Sequence, residues 1–80
     1  MKDLTKLQTG EQALVLAVDV DEKLVGRLKA FNIYCGAKLR LLQRTFFGAT
    51  LLVEADGIRV GIRRSLAQKI YVSPSGEERK

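Results

Sequence analysis

The dipeptide Asp56-Gly57 constrains the fold more than any other feature, because it separates two runs of alternating apolar residues. An Asp-Gly pair in that setting favours a two-residue hairpin turn, which fixes the register of the two strands. In that register Leu52 lies opposite Gly61. Glu54 lies opposite Arg59, and we expect these two side chains to form an ion pair on the outer face. The inner face then receives Leu51, Val53, Val60 and Ile62.

Three further apolar segments predict strands. Residues 12–18 are apolar on both phases, which is typical of a strand buried over most of its length. Residues 38–41 alternate cleanly, and the pattern slips at Leu42, where we expect a β-bulge or the strand end. A last short strand spans 70–72.

One amphipathic helix follows the first of these strands. Leu24, Leu28 and Phe31 recur at i, i+4 and i+7, which predicts a single apolar stripe. Asp19, three residues before Glu22, is the expected helix cap, and close backbone packing would explain Gly26 within the helix. Asn32 suits the left-handed residue that ends a helix.

Short helical turns are predicted near the two ends of the chain. The spacing of Leu4 and Leu7 predicts one turn at the start of the sequence. Ser65, with Gln68 at the capping-box position, is the expected cap of a second turn, before the last strand.

These elements predict a mainly β domain: a small SH3-like β-barrel of about five strands. One α-helix follows the first strand, and a short helical turn precedes the last. Five short strands must curl to bury an apolar face. An OB-type barrel is the competing fold, but it usually needs a longer chain and carries its helix later. We expect residues 1–74 to form the domain and 75–80 to be a polar tail.

The side chains that catalysis and metal binding usually require are scarce. There is no histidine and a single cysteine, Cys35, so neither an internal disulfide nor a four-ligand Cys/His metal site can form. Asp19, Asp21 and Glu22 are better explained as helix-start residues than as ligands of a hard cation. No glycine-rich phosphate loop occurs. We therefore predict a binding protein rather than an enzyme, without a cofactor and with Cys35 as a small filler residue.

The sequence also bears on location. No apolar region follows Met1, and the longest apolar run, Ala13 to Val18, is far shorter than the roughly 20 residues of a membrane span. We expect a cytoplasmic protein. The net charge of +5 allows an acidic protein surface, an anionic membrane or nucleic acid as partner.

Several runs resemble the FeoA family, the small cytoplasmic accessory proteins of bacterial ferrous iron uptake. The resemblance spans residues 4–72, nearly the whole chain. The sequence departs from the family pattern at three places. Asn32 stands where the family usually has glycine, and Cys35 stands where it usually has proline. Residues 46–50 replace a Pro-Leu-Gly-Asp-Pro loop. The runs that carry it are Leu4-x-x-Leu7-x-x-Gly10, Arg27-Leu28, Phe31-Asn32-Ile33, Gly36-Ala37-Lys38-Leu39, Gly48 and Gly61 to Val72.

The resemblance implies an SH3-like domain that acts with FeoB, a membrane iron transporter with a cytosolic GTPase domain. The chain would then modulate GTPase or transport activity and reach the membrane only through that partner. The same fold forms the C-terminal domain of iron-dependent repressors of the diphtheria toxin repressor type. The resemblance leaves open whether the chain forms homo-oligomers.

The candidate contact residues are exposed aromatic, apolar and basic side chains. The adjacent aromatics cannot easily both enter one core, so at least one is a candidate anchor in a partner's pocket. The alternatives are a second small core for the aromatics and a solvated face for the arginines. Nucleic-acid binding is the rival function, but no aromatic alternates with the arginines as a stacking surface would need. The predicted partner-binding residues are Phe46, Phe47, Leu52, Arg27, Arg59, Arg63 and Arg64.

Overall fold

An antiparallel sheet of six strands forms the body of the protein. This computed structural model describes residues 2–74, and for Phe46 it describes only the backbone. The order across the sheet is β1-β6-β2-β3-β4-β5. The predicted tail, 75–80, lies outside the described residues. The strands are β1 (Lys2–Asp3), β2 (Gln12–Val18), β3 (Lys38–Thr45), β4 (Thr50–Ala55), β5 (Ile58–Arg63) and β6 (Ile70–Pro74).

The mainly β class is confirmed, but three details of the predicted barrel are wrong. The sheet has six strands rather than five, and β1 and β5 are its free edges, so the sheet does not close into a barrel. The missed strand is β1, in which Lys2 pairs with Val72 and Asp3 with Tyr71. Two residues are too few to show the period of a strand. Consequently the long helix follows the second strand, not the first.

Helix α1 (Glu22–Ala30) begins two residues later than its expected cap implies. Its N-cap is Asp21, whose Oδ1 accepts a hydrogen bond of 2.9 Å from the Leu24 amide, so Asp19 is not the cap. Asn32 has φ 66°, which confirms the left-handed residue predicted after the helix. Gly26 is exposed with no atom near its missing Cβ, so close packing does not explain it.

The two predicted helical turns exist. A 3₁₀ turn spans Leu4–Lys6, capped by the Asp3 carboxylate. Helix α2 (Arg64–Ala67) is a single turn before β6, as predicted. Its N-cap is Arg63 and no side chain caps it, so the expected role of Ser65 is wrong.

The predicted hairpin register is confirmed residue by residue, from Ala55 opposite Ile58 to Leu51 opposite Ile62. Asp56 and Gly57 have φ 51° and 85°, the positive values that this turn requires. The predicted irregularity at Leu42 is also present, as a register shift between β3 and β4.

One apolar core lies between the inner face of the sheet, the N-terminal turn and the inner faces of the two helices. Leu4 and Leu7 reach it from the N-terminal turn, Leu28 from α1 and Ala67 from α2. The longest described helix, α1, has nine residues, and no helix in the range 2–74 is long and apolar enough to cross a membrane.

Candidate partner-binding surface

Two arginines of β3 hold the N-terminal segment against the sheet. Arg40 Nη1 donates to the carbonyl oxygen of Gly10 at 2.8 Å. Arg44 Nη2 donates to the carbonyl oxygens of Thr5 at 2.7 Å and Leu7 at 2.5 Å. These carbonyls have no strand partner, so the two guanidinium groups satisfy main-chain acceptors. Arg40 and Arg44 are therefore structural.

The four predicted contact arginines are exposed and unpaired. Within residues 2–74, the side chains of Arg27, Arg59, Arg63 and Arg64 donate no hydrogen bond and form no ion pair. Glu54 lies opposite Arg59 in the hairpin, yet the expected ion pair between them is not formed. A solvated pair on a two-stranded edge gains little from holding two flexible side chains together. The four charges remain available to a partner.

A groove of about 520 Å³ runs between α1 and β5, and we call it the α1–β5 groove. Four consecutive residues of β5 line it, although consecutive side chains of a strand point to opposite faces. The groove must therefore follow the edge of the strand. Its lining residues are Leu24, Arg27, Leu28 and Phe31 of α1, Val60, Gly61, Ile62 and Arg63 of β5, and Leu66 of α2.

The helix side of this groove is apolar and incompletely covered. Of the predicted stripe, only Leu28 is buried; Leu24 is half-buried and Phe31 is 42% exposed. Arg27 and Arg63 are the charged residues among the lining side chains. The apolar spacing predicted the stripe but not this groove. The available signal was Arg27, which borders the stripe three residues after Leu24.

The loop between β3 and β4 presents a bare aromatic side chain. Phe47 is fully exposed and lies in the left-handed region, with φ 56° and ψ 35°. For a bulky residue this conformation is an outlier that costs about 1–3 kcal/mol and often marks a functional position. Phe47 is thus accessible to a partner, and its role as a partner-binding residue stays a prediction. The side chain of Phe46 lies outside the described residues.

The structure brings some of the predicted residues together and separates others. Arg27 and Arg63 share the α1–β5 groove. The Arg64 amide donates to the carbonyl oxygen of Ala49 at 2.8 Å. This bond holds the short 3₁₀ turn Phe46–Gly48, which we call the Phe47 turn, beside the start of α2. Leu52 is half-buried on the outer face, and Arg59 lies at the hairpin end of β5, about 13 Å along the strand from Arg63.

Cys35 and the acids before α1 form no common site in the described part of the chain. The Cys35 thiol is exposed and lies 3.1 Å from the carbonyl oxygen of Leu16, to which it donates. Asp21 is engaged as the cap of α1. Among residues 2–74 no three Cys, Asp or Glu side chains are grouped as a metal site would need.

Comparison with known proteins identifies relatives of the whole domain. The family model described as the FeoA domain matches residues 2–74. A FeoA protein from Chlorobium tepidum is 29% identical, with TM-score 0.84 over 90% of this chain and 69% of that one. A zinc-complexed FeoA from Stenotrophomonas maltophilia, described as an SH3 domain protein, is 25% identical, with TM-score 0.75 over 91% of each chain.

The same fold recurs inside a larger class of protein. A manganese-dependent transcriptional repressor is 25% identical, with TM-score 0.79, and the match covers 90% of this chain but 40% of the repressor. No curated protein matches the sequence.

Proposed function

Because the chain belongs to the FeoA family, we propose that it is a cytoplasmic accessory protein of bacterial ferrous iron uptake that binds a FeoB-type membrane transporter. It docks on the cytosolic GTPase domain of that transporter and changes its rate of GTP hydrolysis or iron transport. The zinc-complexed relative is described as possibly acting as a bacterial ferrous iron transport activating factor, which supports an activating effect. The protein acts by binding and performs no chemistry itself.

The observation that carries the proposal is the division of the arginines into two groups. Arg40 and Arg44 are used by the fold, whereas among the described residues Arg27 and Arg63 are exposed and unpaired in the lining of the α1–β5 groove. Arg64 is likewise exposed and unpaired within residues 2–74 and lies beside the Phe47 turn. Arginine and aromatic side chains are enriched at protein interfaces, where they supply much of the binding energy. The proposed contact surface therefore comprises the α1–β5 groove, the Phe47 turn and Arg64.

A titration of the chain with the transporter's cytosolic domain tests this function. We expect binding that weakens as salt is raised, and a changed rate of GTP hydrolysis by the domain. The variant R63Q/R64Q should bind at least fivefold more weakly, since truncating contact arginines costs about 1 kcal/mol or more. The control K23Q/K29Q removes the same charge from α1 outside the groove and should bind as the wild type does.

Two results would contradict the proposal. One is no binding of the wild-type chain to the transporter domain. The other is tighter binding to an oligonucleotide than to that domain, with a steep salt dependence, which would favour the nucleic-acid alternative.

A further inference from the structure

The outer edge of β5 is open along the α1–β5 groove. In the described sheet β5 pairs with β4 alone, and β5 is the last strand in the order. Edge strands are usually blunted by shortness, charged side chains, a bulge or a covering element, and of these β5 has charged side chains, at Arg59 and Arg63. This edge otherwise has six regularly paired residues, and a groove beside it that α1 leaves uncovered.

The hairpin register identifies which main-chain groups face that groove. In a two-residue hairpin the pair next to the turn exchanges both hydrogen bonds, and hydrogen-bonded pairs then alternate along the strands. Ala55 opposite Ile58 is that first pair. The N–H and C=O groups of Arg59 and Gly61 and the N–H of Arg63 therefore point away from β4, whereas the C=O of Arg63, the N-cap of α2, accepts the first hydrogen bond of that helix. Within residues 2–74 the outward N–H and C=O groups of Arg59 and Gly61 and the N–H of Arg63 have no hydrogen-bond partner.

We infer that the α1–β5 groove receives an extended acidic segment of the partner, which adds a seventh strand to the edge of β5. This inference rests on the proposed function, because it assigns the segment to the transporter's cytosolic domain. Strand addition of this kind draws affinity from main-chain hydrogen bonds and specificity from pockets for alternate side chains. The segment covers Val60 to Arg63, about four residues or 13 Å of strand.

The chemistry of the groove defines the segment's side chains. Every second side chain of the segment packs on the apolar surface of the groove, which is formed by Leu24, Phe31, Val60 and Leu66. Among residues 2–74, the charged residues that line the groove are Arg27 and Arg63, both unpaired, and no acidic residue lines it. Charge complementarity therefore selects a segment in which apolar residues alternate with Asp or Glu.

A helical segment fits the same groove less well. A helix satisfies its carbonyl groups internally, so it would bury the edge amides of Gly61 and Arg63 without accepting from them. Burying a donor that is left without a partner is unfavourable. An added strand accepts from those amides at no such cost.

A matched pair of substitutions at Gly61 tests strand addition. G61P removes an N–H that points away from β4, so the β4–β5 ladder loses no hydrogen bond, and proline is tolerated at such edge positions. G61A is the control, because both variants place a Cβ about 3.3 Å from Thr50 Cγ2, but alanine retains the N–H. We expect G61P to bind the transporter's cytosolic domain at least tenfold more weakly than G61A. Equal affinities would overturn the inference.

Amide hydrogen exchange on the complex gives a second readout that does not depend on a variant. We expect the amides of Arg59, Gly61 and Arg63 to gain at least tenfold protection, while those of Val60 and Ile62, already bonded to β4, change less. Binding without this alternating gain would overturn strand addition and leave the proposed function standing. If the same amides gain protection as the concentration of this chain is raised in the absence of the partner, the edge of β5 pairs with a second copy of the chain, which would overturn the inference. No binding of the wild-type chain would contradict the proposed function and this inference together.

Discussion

Arg44 and Thr5 are joined across 39 positions of sequence by a hydrogen bond of 2.7 Å, from the guanidinium group to the main-chain carbonyl oxygen. The same nitrogen reaches the Leu7 carbonyl, so one side chain of β3 fastens the N-terminal turn onto the sheet. Within the described part of the chain, Arg63 on β5 makes no such contact. Two arginines that look alike in the sequence thus differ in their contacts.

R44A should therefore destabilise the fold, whereas R63A should not. Losing the bonds to Thr5 and Leu7 is expected to lower the free energy of unfolding by about 1 kcal/mol or more. R63A should stay within about 0.5 kcal/mol of wild type, as surface substitutions usually do. Urea unfolding of the three proteins measures this. Equal losses in both variants would show that Arg44 does not stabilise the N-terminal segment.

F47N should separate stability from binding. Asparagine tolerates the left-handed conformation at position 47 better than phenylalanine, so the free energy of unfolding should be unchanged or about 1 kcal/mol higher. Phe47 is proposed to become buried in the partner, so its loss should weaken binding to the transporter domain about tenfold or more. Thermal unfolding and a binding titration measure the two effects. Wild-type affinity in F47N would remove the Phe47 turn from the contact surface.

D21A should weaken α1, and D19A should not. The Asp21 carboxylate caps the Leu24 amide, and replacing such a cap with alanine costs about 1 kcal/mol. Asp19 is exposed, and its side chain caps no helix in the structure. The comparison of the two unfolding midpoints decides which acid begins the helix. A larger loss in D19A would contradict the helix start described above.

Two glycine-to-alanine substitutions should change stability in opposite directions. At Gly57, φ is 85°, so alanine is strained and G57A should lower the free energy of unfolding by about 1 kcal/mol. Gly26 lies in the exposed part of α1 with open space around it, so G26A should raise that free energy by up to about 1 kcal/mol. Calorimetry should show midpoint shifts of about 4–8 °C in opposite directions. A destabilised G26A would reveal packing that the structure does not show.

The hairpin and the residues around it could be predicted because their signals are local. Asp56-Gly57 fixes a turn, the turn fixes the register, and the register places Leu52 opposite Gly61. Asn32 at the end of α1 is likewise a local preference for positive φ. By contrast, β1 depends on a distant partner, since Lys2 joins the sheet only by pairing with Val72.

The candidate site was harder to predict for the same reason. The sequence predicted exposed arginines and an exposed aromatic. It could not distinguish Arg44, which bonds to the N-terminal segment, from Arg63, which has no partner among residues 2–74. The apolar spacing of Leu24, Leu28 and Phe31 fits a buried stripe as well as a groove wall. Only the position of β5 beside α1 shows that Phe31 borders a groove.

The position of β2 in the sheet has a consequence for how the chain acquires its structure. β2 lies between β3 and β6, and its Val18 pairs with Ile70, about fifty positions later. Synthesis proceeds at about 5–20 residues per second, so the edge of β2 that pairs with β6 stays unpaired for several seconds after β2 has been made. Such distant pairing slows folding. A chain stalled before β6 would expose one edge of an apolar strand, and an unpaired apolar edge of this kind is prone to aggregation.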